Sequence, residues 1–182
     1  LAAKPGPRRF TVEVNAGRLP ADHWTLDPKQ GGGRIVGEAC HFVDLLRFLA
    51  GSPIVSVRCL SRDVDGQDGG CFELAFASGD VAALHYRTDL PAHLPKERIA
   101  VAGNGWSAEI DNWRSLRSTN LPGASARPAW LGGPARGKGH REALSAFLDA
   151  AHHLVPPPIP LDEIEEVSRW SIRIQGMRAS QS

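Results

Sequence analysis

The sequence predicts one α+β domain with an open, mainly antiparallel sheet of five or six strands and its helices packed on one face. Segments with period-2 apolar alternation follow one another over residues 54–116, rather than alternating strictly with helices as in a parallel sheet. One helical segment precedes this run and two follow it, each with an apolar stripe on one side. Glycine-containing turns separate the strands.

The first strand is predicted over residues 9–16, where Phe10, Val12 and Val14 share one side. A helix over 34–50 comes next, and the glycine and proline that follow it are strong stop signals. Residues 117–137 are predicted to form an irregular loop. The remaining strands are predicted over 54–60, the two halves of 70–88, 97–102 and 106–116, and the remaining helices over 139–154 and 161–178.

The hairpin within residues 70–88 is predicted to turn at the dipeptide Ser78-Gly79. A two-residue turn there would divide the side chains between two faces of the sheet. The second of these faces is only weakly polar, so we expect it to be covered. The first face would hold Phe72, Leu74, Phe76, Val81, Ala83 and His85, and the second Glu73, Ala75, Ala82, Leu84 and Tyr86.

Composition places the chain among ordinary globular domains. It has 182 residues, a formal net charge of +1 and 42% hydrophobic residues, so neither a nucleic-acid footprint nor a membrane helix is expected. Cys40, Cys59 and Cys71 are an odd number without CxxC spacing, which favours neither a disulfide framework nor structural zinc. We therefore expect a cytoplasmic protein, and we interpret the chain as a fragment because it begins with leucine.

The polar side of the first helix carries Glu38, His41 and Asp44 at i, i+3 and i+6, beside Arg34. Residues three apart on a helix are neighbours, so Glu38 could hydrogen-bond and orient His41. An imidazole can pass a proton to or from an alcohol or a carbonyl. The alternative is an ordinary surface histidine. A metal site is not expected, because the Glu-x-x-His pair supplies only two ligands.

The stretch GGGRIVGEACHFVDLLRFLAG, residues 31–51, resembles the signature of the glucose-fructose oxidoreductase / inositol dehydrogenase (Gfo/Idh/MocA) family. In that family a glycine triplet leads into a helix with a catalytic histidine and an aspartate three residues later. Trp24 and Asp27 before the glycines, KGHR at 138–141 and PIPLDEI at 158–164 are also similar. The resemblance covers most of the chain, corresponds to the family's C-terminal domain, and is closest to the branch fused to a zinc-type alcohol dehydrogenase module.

The resemblance implies that residues 1–182 form a single substrate-binding and oligomerisation domain, the C-terminal half of a larger oxidoreductase. The family's N-terminal Rossmann domain is absent from the chain, so NAD or NADP would be bound mainly outside it, and the fragment alone is expected to be inactive. Leu45 and Phe48 would face that domain. The outer face of the sheet would form the interface of a homodimer.

The implied function is oxidation or reduction of a sugar, polyol or sugar-nucleotide by an NAD(P)-dependent enzyme. The implied catalytic residues are His41 and Glu38. Many family members carry aspartate four residues before the histidine, where this chain has Gly37. The alternative is therefore a non-catalytic dimerisation or ligand-binding module of the same fold. Candidate substrate contacts are Arg34, Asp44, Trp24 and Arg87.

Overall fold

The computed structural model describes residues 6–63, 67–121, 139–153 and 155–177. Within these ranges it contains a seven-stranded sheet and three α-helices. The strands are β1 (Arg9–Asn15), β2 (Ile54–Arg62), β3 (Gly70–Phe76), β4 (Val81–Arg87), β5 (Glu97–Gly103), β6 (Trp106–Asp111) and β7 (Ser115–Thr119). The helices are α1 (Cys40–Ala50), α2 (His140–His153) and α3 (Leu161–Gly176), and a π-helical turn (Ile35–Ala39) leads directly into α1.

The sheet is open and mostly antiparallel, in the order β2-β3-β4-β1-β5-β6-β7. Only one of its strand pairs, β1 with β4, is parallel. The predicted α+β class is confirmed, but the expected five or six strands are one or two fewer than the seven observed. The segment 106–116 is two strands, because Asn112 and Trp113 adopt left-handed backbone conformations with φ of 48° and 56°. They reverse the chain into β7, which takes the first residues of the predicted loop.

The predicted register of the β3–β4 hairpin was wrong by one residue. Residues 77–79 form a three-residue loop, since the Phe76 N–H donates to Asp80 O and the Gly79 N–H donates to Phe76 O. Phe72 therefore pairs with Leu84, and Leu74 with Ala82. A one-residue slip moves every side chain of a strand to the other face. Ala82, Leu84 and Tyr86 are consequently core residues, while Val81, Ala83 and His85 take the outer face.

The core lies between one face of the sheet and helices α1 and α3. Alternate residues of the central strand β1, and Val43 and Leu46 of α1, are almost fully buried in it. Arg47 joins the two helices, with its Nε 3.0 Å from Glu166 Oε2, and Glu166 Oε1 accepts the Ile54 N–H at 2.5 Å. Ion pairing and packing thus hold α1 against α3 and the start of β2.

Helix α2 differs from α1 and α3 because none of its residues is buried by the described part of the chain. Its apolar stripe, which includes Leu144, Phe147 and Leu148, is exposed. The three predicted helices are confirmed over most of their lengths, although α1 itself begins only at Cys40, after the π-helical turn, and the predicted ends at residues 154 and 178 lie outside the described residues. From residue 122 the predicted loop lies outside the described residues. Among those residues no helix has both the length and the hydropathy to cross a bilayer.

Candidate functional site

The site lies where the chain enters α1. The Cys40 N–H donates to Ile35 O, five residues back, and closes the π-helical turn just before His41. A π-turn is wider than an α-turn, so the 100° spacing of an α-helix does not describe side-chain directions here. The sequence predicted one regular helix over 34–50, and the structure corrects its first turn.

Side chains from distant elements cap the start of this helix. The Arg34 N–H donates to Asp68 Oδ2 at 3.2 Å, and the Ile35 N–H donates to Gln175 Oε1 at 3.0 Å. Gln175 also donates from Nε2 to Asp68 Oδ2 at 3.0 Å. These bonds satisfy N–H groups that a helix start leaves without a helical acceptor. The β2–β3 connection and the end of α3 therefore fix the position of the helix that carries His41.

The glycine triplet permits this close packing. A Cβ on Gly31 would lie 2.4 Å from Thr25 Cα, and Gly33 has a φ of +93°. A Cβ on Gly33 would also lie 2.4 Å from the Gln175 amide. Larger residues would displace the segment that contacts the capping groups. Gly31 and Gly33 are thus required by packing at the helix start.

Arg34 is a core residue, with 1% of its surface exposed. Its guanidinium donates to Gly17 O at 2.7 Å, Ala16 O at 3.2 Å and Glu38 Oε2 at 2.9 Å. It also lies over the Tyr86 ring, 5.4 Å from the ring centroid. The placement of Arg34 on the polar face of the helix was wrong, because backbone carbonyls after β1 supply acceptors that bury its charge.

Glu38 receives hydrogen bonds from Arg34 and from the Tyr86 hydroxyl, both at Oε2. The predicted hydrogen bond between the His41 imidazole and the Glu38 carboxylate is not among the described contacts. Burial raises the pKa of the Glu38 carboxyl, but the hydrogen bonds from Tyr86 and Arg34 and the charges of Arg34 and Lys96 together bring that pKa below its usual value. Glu38 is therefore held in its ionised form.

His41 lies on the exposed side of α1 and makes no side-chain hydrogen bond or ion pair with any residue the structure describes. Asp44 follows it on the same helix and is half-buried. Phe48, two turns after His41, is 73% exposed. The imidazole is therefore exposed to solvent on the same side of α1 as Phe48, on a helix that is capped at its start and packed along its length against the core.

The other two candidate contacts are engaged locally. Trp24 lies in a 3-10 turn (Trp24–Leu26), is 58% exposed and stacks on His23 with ring centroids 6.0 Å apart. The Arg87 guanidinium forms an ion pair with Asp89 at 2.8 Å. Of the six predicted site residues, only Arg34 and Glu38 are joined by a hydrogen bond among the described contacts.

Sequence reasoning missed Tyr86, Asp68 and Gln175. Tyr86 was assigned to the outer face of the sheet by the wrong hairpin register. Asp68 and Gln175 come from a connection and a helix end far from residue 34 in sequence, and no local pattern marks them as capping groups. A three-residue hairpin loop, in place of the predicted two-residue turn, puts Tyr86 on the core face of the sheet.

The helix start does not fit a dinucleotide phosphate. Pyrophosphate binds at helix N-termini through free backbone N–H groups. Here Asp68 and Gln175 already occupy the N–H groups of Arg34 and Ile35, and the Asp68 carboxylate would repel a phosphate. In the described ranges, no three His, Cys, Asp or Glu side chains cluster as a metal site would need.

Comparison with known families decides the relationship. The model of the GFO/IDH/MocA C-terminal domain matches residues 6–109. The chain belongs to this family. No curated protein matches the chain.

Solved structures have the same fold at low sequence identity. An aldose-aldose oxidoreductase from Caulobacter crescentus, complexed with glycerol, is 18% identical with a TM-score of 0.67 over 93% of this chain and 52% of its own. A UDP-N-acetylglucosamine 3-dehydrogenase from Acidithiobacillus ferrooxidans is 18% identical with a TM-score of 0.67, over 98% of this chain and 57% of its own.

A third relative is the WlbA dehydrogenase from Thermus thermophilus, in complex with NAD and α-ketoglutarate. It is 18% identical with a TM-score of 0.61, over 100% of this chain and 51% of its own. The chain thus spans little more than half the length of these three proteins.

Proposed function

We propose that the chain is the substrate-binding and catalytic-histidine domain of an NAD(P)-dependent oxidoreductase that acts on a sugar, a polyol or a sugar-nucleotide. The observation that carries the proposal is His41, an exposed imidazole with no side-chain partner among the described residues, on a helix whose start is capped from two distant elements. Family membership and the names of the three structural relatives support the substrate class and the cofactor class.

In this proposal His41 handles the proton. Its imidazole accepts the hydroxyl proton of an alcohol that is being oxidised, or returns a proton to a carbonyl that is being reduced. A nicotinamide cofactor would supply the hydride chemistry. Because the start of α1 does not fit a phosphate, we place the cofactor on an N-terminal Rossmann domain outside this chain. We therefore expect the 182-residue chain to be inactive alone and to bind NAD(P) weakly or not at all in calorimetry.

Exposed apolar side chains support the presence of a second domain in the full-length protein. Phe48 on the His41 side of α1 and the apolar stripe of α2 are surfaces that a second domain would cover. Leu45, expected to face that domain, is instead half-buried against the core. On the resemblance of residues 31–51 we further propose fusion to a zinc-type alcohol dehydrogenase module, and from the cysteine content a cytoplasmic location.

We also propose a homodimer through the outer face of the sheet. Of the residues expected there, Ala75 does lie on that face, but Ala82, Leu84 and Tyr86 are in the core. Ala83, Thr11 and Ala100 are neighbours across β4, β1 and β5 on that face. Small side chains in this central row let two sheets approach closely. Sedimentation of the chain as a monomer at high concentration would exclude this interface.

Activity of the full-length protein tests the main proposal. Purified protein is assayed for NAD+ and NADP+ reduction with sugars, polyols and UDP-sugars, and in the reverse direction with keto-sugars. We expect turnover with at least one member of this panel. Absence of turnover with every member, from folded protein that binds the cofactor, would refute the enzyme proposal.

One observation favours the alternative of a non-catalytic module. The family's usual acid position is Gly37, where a Cβ would lie only 3.2 Å from Thr25 Cγ2. Glu38, one residue later, bonds to Arg34 and Tyr86 rather than to His41. In this alternative His41 only hydrogen-bonds a ligand, so the protein would bind a sugar without turning it over.

A further inference from the structure

Two side chains that can bind a metal lie opposite each other on the outer face of the sheet, outside the candidate site. Cys71 of β3 pairs with His85 of β4, and both are half-buried on that face. Neither makes a hydrogen bond or an ion pair with a residue that the structure describes. Thiolate and imidazole are the ligand types of structural zinc sites.

The strand register brings Cys71 and His85 close together. The Phe76 N–H donates to Asp80 O at the end of the hairpin, so these two residues form a hydrogen-bonded pair. In an antiparallel ladder such pairs alternate with pairs that lie between the hydrogen bonds. Cys71 and His85 lie five positions further along an unbroken register and are a pair of the second kind. The Cα atoms of such a pair are about 4.5 Å apart, and their side chains are the closer ones.

The alternative interpretation of this pair is a reactive thiol beside an imidazole. Burial raises the pKa of the Cys71 thiol, Cys59 and Glu73 raise that pKa further, and Arg87 offsets only part of the rise. A thiol with a raised pKa is a poor nucleophile. A divalent metal ion, in contrast, displaces the thiol proton when it binds. The pair is therefore better suited to hold a metal ion than to attack a substrate.

One chain supplies only half of a tetrahedral zinc site. Glu13 is the neighbour of His85 on β1, but its carboxylate is near Arg98, with Oε2 3.9 Å from Nη1. Among the described residues no third His, Cys, Asp or Glu completes a metal cluster. Structural zinc sites have four protein ligands. A complete site therefore needs two ligands from another molecule.

A second copy of the chain can supply these two ligands. Near the pair, β4 carries the small or apolar residues Val81 and Ala83 on its outer face, whereas β5 and β6 carry the ion pair of Arg98 and Glu109. Two copies related by a two-fold axis present the same patch to each other. Two such pairs give two thiolates and two imidazoles, whose charges balance a divalent ion. A neutral cluster of this kind can be buried between two sheets at low cost.

We propose that Cys71 and His85 are one half of a zinc site, which a second copy of this chain completes at the outer face of the sheet. The inference rests on the homodimer proposed above and adds a metal ion that links its two sheets. Sequence spacing does not reveal such a site, because its ligands lie on different strands. A metal ion that binds only the dimer also stabilises the dimer by mass action.

Cobalt tests the site in the 182-residue chain, whose hydrophobic core lies within the described residues. Co²⁺ substitutes for Zn²⁺, and a thiolate ligand gives it a charge-transfer band in the near ultraviolet. We expect this band in wild type, with an end point of one Co²⁺ per two chains, and its loss when Zn²⁺ is added. Cys71→Ser and His85→Gln should each weaken Co²⁺ binding by about ten-fold or more, since even groups that only support a metal ligand contribute about 10–100-fold.

The matched control is Cys59→Ser, which removes another half-buried thiol from the adjacent strand. Cys59 pairs with Phe72, whose side chain is in the core, so Cys59 lies on the face opposite to Cys71. This variant should keep the band and its end point. No thiolate band in wild type, or an equal band in Cys71→Ser, would overturn the metal site. An end point of one Co²⁺ per chain would overturn its sharing between two copies.

Sedimentation separates this inference from the homodimer itself. We expect Zn²⁺ to lower the Kd of the dimer by about ten-fold or more in wild type and in Cys59→Ser, but not in Cys71→Ser. A dimer that forms without metal and gives no thiolate band would keep the homodimer proposal and overturn the metal site. A chain that dimerises only with metal would refute the metal-free homodimer and support the metal site.

Discussion

Helices α1 and α2 have similar amphipathic sequences and opposite environments. In α1, of 11 residues, the apolar face is buried against the sheet and α3. In α2, of 14 residues, no side chain is buried by the described residues. An isolated helix of this length is marginal in water, so tertiary packing usually decides its stability. Apolar periodicity therefore predicts where a helix lies, but it does not predict what the apolar face of that helix packs against.

The largest expected difference between the two helices is in the cost of the same substitution. Leu46 of α1 is 0% exposed, and Leu46→Ala removes buried methyl groups and leaves a cavity. We expect the free energy of unfolding of the 182-residue chain to fall by about 2–5 kcal/mol in a denaturant titration. A loss below about 0.5 kcal/mol would mean that α1 is not packed as described.

The end of α1 adds a pH-dependent contribution to the stability of the fold. Arg8 donates to Asp80 and also to Ala50 O at 2.7 Å, so the ion pair of Arg8 and Asp80 supports the last turn of α1. Burial raises the pKa of Asp80, but the hydrogen bonds from the Arg8 side chain and backbone and from Ser78, together with the charge of Arg8, bring that pKa below its ordinary value.

A carboxyl with a lowered folded-state pKa stabilises the fold above its unfolded pKa, near 3.9, and that stability is lost as the pH falls through the folded-state value. We expect Asp80→Asn to lower stability at pH 7 by about 1–3 kcal/mol and to flatten the acid limb of the stability curve. Chemical denaturation from pH 7 down to pH 3 measures both. An acid limb as steep as in wild type would contradict the contribution of Asp80.

The smallest effect is expected in α2. Leu144 is 59% exposed, so Leu144→Ala should change the unfolding free energy of this chain by less than about 0.5 kcal/mol. The same denaturant titration used for Leu46→Ala measures it. A loss comparable to that of Leu46→Ala would show that α2 is packed within the chain.

The positions of the helices were predicted correctly from the sequence, and the register of the hairpin was not. Helix positions followed from periodicity and from Gly51, whose N–H closes α1 by bonding to Arg47 O and Phe48 O. The hairpin register failed because a loop of three residues rather than two reverses every side chain of β4. One extra residue in a loop changes the register of the whole strand that follows, whereas a helix is recognised from a periodicity that many residues share.

The candidate site was likewise predicted only in part, because sequence patterns do not show which distant segments the fold brings together. His41 was placed on the exposed side of a helix, and the structure has it there. The burial of Arg34 was missed because its acceptors, Ala16 O and Gly17 O, are brought to it by the fold. Tyr86 reaches Glu38 from another strand, and only correct strand register reveals such a contact. Local patterns thus located the helix of the site but not the groups that support it.

The most direct test of the central claim is His41→Asn in the full-length protein, assayed on the substrate that wild type turns over. Asparagine keeps a polar side chain but cannot exchange the proton. Because His41 is exposed and makes no described side-chain bond, the variant should fold with near wild-type stability. We expect kcat to fall by roughly 10²–10⁴-fold, the usual contribution of a positioned acid–base group. A kcat close to that of wild type would contradict the catalytic role of His41 and leave the ligand-binding module in its place.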